Sequence, residues 1–231
     1  MIRAAIYYTP HPSSQLSRAA AQWLGRDSIS LCVAGYRPAQ SVAFERYNQL
    51  VAGPFHYGFH ATIKPPFRLV DGVTLHQVSA KLQQFALQQR CFILPALEVK
   101  RLHDFFCLRP TTSCTKLDEL AAATVEAFDE FRQPVDARQL EKRRAAGLTP
   151  RQDYLLQKWG YPYVMDEFRF HLTLTGRVVN TNESLLVEQE LKRRFPASSL
   201  RQQPFSTLSL FVEVNNQPMR LFTNFALSPT I

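Results

Sequence analysis

The same short pattern, Phe-His-x-Thr, occurs twice in this 231-residue chain, at residues 59–62 and again at 170–173. Both copies lie in runs where apolar and polar residues alternate, FHATIKPPF and FHLTLTG, and this alternation predicts β-strands. Alternate side chains of a strand point to the same face. Each copy therefore predicts a strand that turns its phenylalanine toward a core and its histidine and threonine toward the opposite face.

Each predicted strand carries a stripe of hydrogen-bonding side chains on its polar face. If the two strands belong to related halves of the fold, the two stripes face each other across a cleft. We expect Pro65 and Pro66 to end the first strand, since proline cannot donate to a ladder, and the second strand to cover residues 168–176. The stripes consist of His60, Thr62 and Lys64 in the first strand and of Arg169, His171, Thr173 and Thr175 in the second.

A cleft with two histidines suits displacement at phosphorus. Histidine titrates near neutral pH, so one ring can hold a proton while the other lacks it. A neutral imidazole accepts a proton from water, and an imidazolium donates one to the leaving oxygen. Thr62 and Thr173 can donate to phosphate oxygens, and Lys64 or Arg169 can neutralise developing charge. Such a site requires no metal.

Other interpretations of the motif remain open. A single His-x-Thr on a strand is most often a polar, solvent-facing pattern, and the second copy is what favours a paired site. A two-histidine metal site is a further alternative, but neither stripe carries the carboxylate or third histidine that would complete it. The nearby Tyr57, Tyr161 and Tyr163 are candidates for stacking on a sugar or base, with ordinary packing as the alternative.

The rest of the chain predicts an α+β fold in which strands and helices are interspersed. No low-complexity tract or flexible linker divides residues 1–231, so we expect one packed unit with a helical insertion at about 115–160. The further predicted strands are 3–9, 96–102, 104–110, 205–214 and 219–227, and the predicted helices run from Ser13 or Ser14 to Leu24, over 74–90, from Thr115, from Thr149, and near 183–194.

Composition narrows the class of protein. The formal net charge of +8 points to an anionic partner, either a phosphorylated small molecule or nucleic acid. The basic run 142–144 in the helical insertion is a solvated face, a cap over the groove, or a track for RNA. The four cysteines lack zinc-finger or C-x-x-C spacing, so we expect reduced, mostly buried thiols. No apolar run approaches membrane-spanning length, and we expect a soluble, cytoplasmic protein with no membrane partner.

The two motif strands resemble those of the 2H phosphoesterase superfamily, which is named for two His-x-Thr/Ser motifs. The stretches YYTP, YGFHATIKPPFRL, RRAAGLTPRQ and WGYPYVMDEFRFHLTLTG are similar to one branch in particular, a branch associated with phosphonate metabolism. Its members are encoded near genes for cleavage of carbon–phosphorus bonds. The resemblance runs from Ile6 to Gly176 and is weaker in the C-terminal third.

The resemblance implies two pseudo-symmetric lobes whose antiparallel sheets line a central groove. It implies hydrolysis of a cyclic phosphodiester without an obligatory metal or cofactor, with His60 and His171 as the acid–base pair and Thr62 and Thr173 as phosphate ligands. A cyclic ribose phosphate is the expected substrate. RNA ending in a 2′,3′-cyclic phosphate is the alternative, and a non-catalytic nucleotide- or RNA-binding module is the rival of another class. The sequence leaves open which histidine is the base.

Overall fold

The structure, a computed structural model, describes residues 2–30 and 42–229 of the chain, and these contain nine strands and seven α-helices. The strands are β1 (Ile2–Tyr8), β2 (Ala61–Arg68), β3 (Phe92–Ile93), β4 (Leu97–Leu102), β5 (Phe105–Pro110), β6 (Leu172–Thr173), β7 (Pro204–Phe205), β8 (Thr207–Val214) and β9 (Arg220–Ala226). The helices are α1 (Gln15–Leu24), α2 (Phe44–Tyr57), α3 (Leu75–Gln88), α4 (Thr115–Ala127), α5 (Ala137–Arg144), α6 (Pro150–Trp159) and α7 (Thr181–Arg194).

Seven of the strands form one antiparallel sheet in the order β4-β5-β6-β2-β1-β8-β9, and β3 pairs separately with β7. The predicted α+β class with antiparallel strands is confirmed. The two motif strands, β2 and β6, are neighbours in the middle of this sheet, so their polar stripes lie side by side instead of facing each other across a cleft. The division into two lobes stays a prediction.

Several helix ends follow from local sequence. Thr149 accepts a hydrogen bond from the backbone of Gln152, whose side chain bonds back to Thr149, and Pro150 occupies the first turn of α6. This arrangement is a capping box. Proline is tolerated in the first turn because an N–H at that position would have no hydrogen-bond partner within the helix. Gly160 ends α6 with φ of +74°, a conformation that glycine adopts without strain. The predicted starts at Thr115 and Thr149 are confirmed.

The main core lies against one face of the sheet. Along β1, Ala4, Ile6 and Tyr8 point into this core, while Ala5 and Tyr7 belong to a smaller cluster on the other face. The helices α1, α2, α3, α4 and α7 all contribute buried side chains to the main core. The opposite face of the central strands is therefore left for polar side chains.

Trp23 on α1 ties this helical layer to the second motif strand. Its indole nitrogen donates to the carbonyl of Leu174 at 2.8 Å, and its own carbonyl accepts a hydrogen bond from the hydroxyl of Tyr47 on α2. Trp23 and Tyr47 are fully buried. Trp23 thus joins α1 and α2 to the end of β6 through its side chain and its backbone carbonyl.

The first motif strand does not end at Pro65 and Pro66 as predicted. It continues to Arg68, and its pairing with β1 shifts register twice, once on either side of Ile6. The prolines lie within the second shift, between Lys64 and Phe67, where the regular ladder is interrupted. A register irregularity of this kind removes the need for an N–H at each position, which is how a strand tolerates proline.

The first register shift also corrects the placement of Lys64. Between Thr62 and Lys64 the chain gains one residue relative to β1, so Lys64 pairs with Ile6 and points into the core side of the sheet. Its side chain is almost fully buried, and its amine donates to the carbonyl of Val125 at 2.9 Å. Burial lowers the pKa of this amine from 10.5 to about 8. Lys64 does not share a face with His60.

The second motif strand is shorter than predicted. Only Leu172 and Thr173 form regular ladder pairs, because the backbone N–H groups of Leu174 and Thr175 both donate to one carbonyl, that of Phe106. The hydroxyl of Thr175 accepts a hydrogen bond from the N–H of Phe106, so this side chain is buried against β5 and leaves the polar stripe.

The structure also shows the burial of the cysteines and the length and polarity of the helices. Cys107 and Cys114 are free thiols; Cys107 is buried, Cys91 and Cys114 are partly buried, and Cys32 lies outside the described residues. Within residues 2–30 and 42–229, no helix has both the length and the apolar character needed to cross a membrane.

The Trp23→Phe variant should lose at least about 1–3 kcal/mol of unfolding free energy, since the buried carbonyl of Leu174 would lose its donor. Urea denaturation measures this. The matched control is Trp159→Phe, because Trp159 is only partly buried and packs beside a smaller cluster. Equal losses in the two variants would show that the Trp23 hydrogen bond does not anchor β6.

Candidate active site

The pairing of β2 with β6 places the two motifs next to each other. Ala61 lies opposite Leu172 in an antiparallel pair, and both of these side chains belong to the main core. Residues one position to either side are also opposite each other and point to the other face. The register therefore gathers four polar side chains on one face of the sheet, and these are His60, Thr62, His171 and Thr173.

The two imidazoles are held in the same way. Nδ1 of His60 lies 2.8 Å from the carbonyl oxygen of Gly58, and Nδ1 of His171 lies 2.6 Å from that of Arg169. A carbonyl can only accept, so each ring carries its proton on Nδ1 when it is neutral. In both motifs the carbonyl belongs to the residue two positions before the histidine. This leaves Nε2 of each ring as the basic nitrogen.

Nε2 of His60 also contacts its own motif threonine, with Thr62 Oγ1 at 3.1 Å. In the neutral tautomer Nε2 accepts, so the hydroxyl of Thr62 donates to it. The repeated His-x-Thr spacing therefore has a direct structural meaning in the first motif, because the two side chains on one face are close enough to bond.

Burial keeps His60 neutral at physiological pH. Loss of solvent around the ring, opposed by the bond to Gly58 and reinforced by the nearby His171, lowers the pKa of His60 from 6.5 to about 4. The pKa of His171 is also lowered, first by burial and then by the charge of Arg109. The influence of His171 on the pKa of His60 means that a proton on one ring disfavours a proton on the other.

Arg109 was missed by the sequence interpretation. It lies on β5, where Cys107 pairs with Thr173, and continuing this register puts Arg109 opposite His171. Its Nε atom is buried and has no hydrogen-bond partner within the described parts of the chain. A cationic donor whose Nε has no protein partner can bind an anionic ligand. The sequence shows Arg109 at the end of the apolar run FFCLR. That Arg109 lies beside His171 depends on the order of the strands in the sheet, which the sequence does not show.

Tyr7 was also missed. Its ring stacks on the imidazole of His60, with ring centroids 3.7 Å apart and planes 21° from parallel. Tyr7 is fully buried, and its hydroxyl has no hydrogen-bond partner among residues 2–30 and 42–229. Burial raises the pKa of Tyr7 well above 10, so the phenol stays neutral. The stacked phenol ring supplies much of the apolar surface that removes His60 from water.

Three further tyrosines were predicted to approach the site. The ring of Tyr57 is 6.4 Å from that of His60, and Tyr161 packs edge-on against Tyr163 at 5.6 Å. After burial, which is the largest cause in both cases, Tyr57 and Tyr161 also raise the pKa of Tyr7, and Tyr57 raises the pKa of Tyr161. Tyr57 is therefore beside His60, and Tyr161 lies near enough to Tyr57 and Tyr7 to interact electrostatically with them. Tyr163 is the most exposed of the three.

Arg169 contributes to the geometry chiefly through its backbone. Its carbonyl holds the ring of His171, while its guanidinium donates to the carbonyls of Asp166 and Phe168 at 2.9 and 2.7 Å. Its side chain is exposed. In the described parts of the chain, no three His, Cys, Asp or Glu side chains gather in an arrangement that could hold a metal ion.

Comparison with known proteins identifies the family. Two His-x-Thr motifs on adjacent strands of one antiparallel sheet agree with the resemblance to the 2H phosphoesterase superfamily. Residues 62–220 match the model of a family described as "Protein of unknown function (DUF1045)", and the chain belongs to this family.

Two curated relatives share most of the chain. One, from Janthinobacterium sp. (strain Marseille), is named ribose 1,5-bisphosphate phosphokinase PhnN and is 34% identical over 205 residues, which cover 86% of this chain and 44% of the relative. A protein of the same name from Laribacter hongkongensis (strain HLHK9) is 32% identical over 216 residues, covering 92% of this chain and 48% of the relative. The chain spans less than half the length of these relatives.

Solved structures were also found to be similar. A crystal structure of E. coli LigT complexed with 3′-AMP has 13% identity and a TM-score of 0.40, with 98% of each chain covered. The conserved protein of unknown function ATU0111 from Agrobacterium tumefaciens str. C58 has 12% identity and a TM-score of 0.47, with 96% of this chain and 85% of that one covered.

The lowered pKa of His60 predicts a dependence of stability on pH. Between about pH 6.5 and about pH 4 the unfolded chain binds a proton that folded His60 does not, so the unfolding free energy falls as the pH falls through this range. The contribution of His60 is no more than about 3 kcal/mol. In the His60→Gln variant this part of the slope should vanish, as measured by urea denaturation at a series of pH values.

The exposed His76 provides the control, since His76→Gln should keep the wild-type slope. An unchanged slope in His60→Gln would mean that His60 has the same pKa in the folded protein and in the unfolded chain.

Proposed function

We propose that this protein is a phosphodiesterase that opens a cyclic phosphodiester on a small phosphorylated metabolite, without a metal ion. The observation that carries the proposal is the pair of imidazoles on adjacent strands, each bonded through Nδ1 to a backbone carbonyl and each presenting Nε2 on the same face. Two such nitrogens can act in one step as base and acid.

His60 is the general base in this proposal. A pKa of about 4 keeps its Nε2 unprotonated at neutral pH, and the bond to Gly58 fixes the tautomer that can accept a proton there. His60 takes a proton from the attacking water while the water oxygen forms a bond to phosphorus. The hydroxyl of Thr62, which donates to Nε2 in the free protein, turns to a phosphate oxygen when substrate is bound.

His171 is the general acid. The anionic phosphodiester raises the pKa of His171 on binding, because opposite charge favours the protonated ring. The ring bond between phosphorus and the ester oxygen then breaks, and the proton on Nε2 of His171 passes to that oxygen. The products are a phosphomonoester and a free hydroxyl. The proton gained by His60 leaves to solvent, and His171 is protonated again before the next turnover.

The developing charge on phosphorus is stabilised by three donors. Thr62 and Thr173 lie on the same face as the histidines, and Arg109 lies opposite His171 with a buried Nε that has no protein partner in the described residues. Donors positioned around the bound phosphate stabilise the charge that develops in the transition state. In this proposal Lys64, buried on the other face, takes no part.

The substrate class follows from chemistry and from the relatives. Both curated relatives carry a name that refers to a phosphorylated ribose, which supports a cyclic ribose phosphate as the substrate. The same groups would act on RNA ending in a 2′,3′-cyclic phosphate, and that activity is the competing outcome. A nucleotide-binding module without turnover is the third.

Phosphodiesterase activity measured with excess EDTA tests the mechanism. Wild type should turn over a cyclic ribose phosphate, and His60→Ala and His171→Ala should each lower kcat by about 10²–10⁴-fold because each removes one proton transfer. His76→Ala is the control for loss of an imidazole elsewhere. Loss of wild-type activity in EDTA, or full activity in either motif variant, would contradict the two-histidine mechanism. Faster turnover of nucleoside 2′,3′-cyclic phosphates would favour the RNA-end activity.

Arg109→Gln should lower kcat by about 10²–10³-fold, since it removes a buried cationic donor from the site. Arg220→Gln is the matched control, because Arg220 also lies on a strand of the sheet but is exposed at its edge. Thermal unfolding should be recorded for both variants. Full activity in a folded Arg109→Gln protein would remove Arg109 from the mechanism.

A further inference from the structure

A pocket of about 450 Å³ lies at the far end of the first motif strand, away from the histidines. It is bounded by the ends of β1 and β2, by residues 132–135, by α5, and by Asn216 in the turn between β8 and β9. None of the described residues that line it carries a carboxylate. The charged residues that line it are Arg3, Arg68, Arg132, Lys142 and Arg143.

The pocket is too far from the histidines for one sugar phosphate to reach both. Arg3 and Tyr7 share one face of β1 and are four residues apart, which corresponds to about 13 Å of strand. Tyr7 stacks on His60, and Tyr57 and Tyr161 lie near Tyr7, so tyrosine rings lie between the pocket and the imidazoles. The two phosphates of one sugar cannot span this distance. A sugar phosphate in the pocket is therefore a separate molecule from any ligand of the histidines.

The lining of the pocket carries positive charge that the protein does not balance. Three of its cations are paired with carboxylates, and the pairs are Arg3 with Glu213, Arg132 with Asp129, and Arg68 with Asp136, the last at 4.0 Å. The other two, Lys142 and Arg143, have no carboxylate within ion-pair distance among residues 2–30 and 42–229. Both lie in the last turn of α5, so the unbalanced charge is concentrated on one wall.

Arg143 has hydrogen-bond donors available on this wall. Its guanidinium lies over the ring of Tyr161, 4.9 Å from the centroid. In the described parts of the chain its N–H groups donate no hydrogen bond to another residue. A guanidinium presents five N–H donors in a planar fork that matches the oxygens of a phosphate. The half-buried Arg143 can therefore bind a phosphate group without breaking a bond within the protein.

The walls of the pocket are held by bonds that lie outside it. The N–H of Gln133 donates to the carbonyl of Arg68 at 2.8 Å, which joins residues 132–135 to the end of β2. On the opposite side, Arg144 of α5 donates two hydrogen bonds, of 2.6 and 3.0 Å, to the carboxylate of Asp153 on α6. The pocket is therefore largely preformed, as small-molecule sites usually are.

We propose that this pocket is a second anion site, which binds a phosphorylated sugar of its own independently of the two histidines. A phosphomonoester carries a charge of about −1.5 to −2 at neutral pH, which the unbalanced charges of Lys142 and Arg143 match. Both side chains donate charge-assisted hydrogen bonds to the phosphate oxygens. The site goes beyond the phosphodiesterase function proposed above and does not depend on it.

The remaining lining of the pocket suits the sugar part of this ligand. Gln133, Gln139 and Asn216 supply amide groups, which both donate to and accept from hydroxyls. Pro66 and Val135 supply apolar surface. The volume lies in the range of small-molecule sites. A free phosphate ion would leave the amides and the apolar wall without contacts, so we expect it to bind more weakly than a sugar phosphate.

The arrangement of the charge favours a small molecule over RNA. A groove that follows a nucleic acid backbone distributes its lysines and arginines along an open surface. Here the two cations without a carboxylate are neighbours in the sequence and line one wall of a single pocket.

Calorimetric titration of ribose 5-phosphate into the full chain tests the proposal. Wild type should bind it saturably, and Lys142→Gln/Arg143→Gln should raise the Kd at least about tenfold, since two charge-assisted contacts are removed. The matched control is Lys116→Gln/Arg138→Gln, which removes the same charge from two exposed positions outside the pocket and should keep the wild-type Kd. Thermal unfolding recorded for both double variants shows that each is folded.

The absence of saturable binding in wild type would overturn the proposal. An equal loss in the two double variants would also overturn it, because net charge alone would then govern binding. Equal affinities for inorganic phosphate and ribose 5-phosphate would refute the sugar part of the site. Tighter binding of a short single-stranded RNA, with a steep dependence on salt and loss in Lys142→Gln/Arg143→Gln, would assign the pocket to RNA instead.

Two further variants separate this site from the proposed active site. His60→Ala and His171→Ala should bind ribose 5-phosphate with the wild-type Kd, because the pocket takes a molecule of its own. Binding that is lost in these variants and kept in Lys142→Gln/Arg143→Gln would place the sugar phosphate between the histidines and refute the second site. The titration requires no turnover, so failure of the phosphodiesterase activity would leave its result unchanged.

Discussion

The pairing of two short strand segments, with Ala61 opposite Leu172, is the contact on which the candidate site depends. The two motifs are more than a hundred residues apart in the sequence, and each contributes only a histidine and a threonine. Antiparallel register places all four side chains on one face, while the apolar residues between them enter the core. Trp23 and Tyr47 support this pairing from below, because they join α1 and α2 to the end of β6.

Burial lowers the pKa values of the histidines on this face of the sheet. Tyr7 covers the ring of His60, and the burial that results lowers the pKa of that histidine to about 4. The Nε of Arg109 and the hydroxyl of Tyr7 are also buried, and neither has a hydrogen-bond partner in the described part of the chain. Buried polar groups are normally bonded. Under the proposed function, these two donors are available to an anionic ligand.

The register shifts in β2 place its polar side chains on different faces of the sheet. Up to Thr62 the alternation holds, and the polar side chains stay on the site face. The extra residue that follows turns Lys64 toward the core, where its amine binds the carbonyl of Val125 near the end of α4. Beyond the prolines Arg68 returns to the site face, where it lies opposite Arg3. The positions of the two register shifts therefore decide which face of the sheet each polar side chain of β2 occupies.

The sequence by itself determined the local elements and the two motifs. Strand alternation, Thr149 with Pro150, and Gly160 specify their structures through contacts within a few residues, and for that reason they could be predicted. The extent of the second motif strand could not be predicted, because it depends on how the carbonyl of Phe106 is shared between two N–H groups.

Only the tertiary structure decided which residues accompany the histidines. Arg109 and Tyr7 reach them through the order of strands in the sheet, and Lys64 is withdrawn by a register shift that is defined only relative to β1. Period-two reasoning assumes an uninterrupted ladder, and one added residue reverses the face of every side chain after it. Contacts between distant segments are set by packing of the whole core, and no local pattern encodes them.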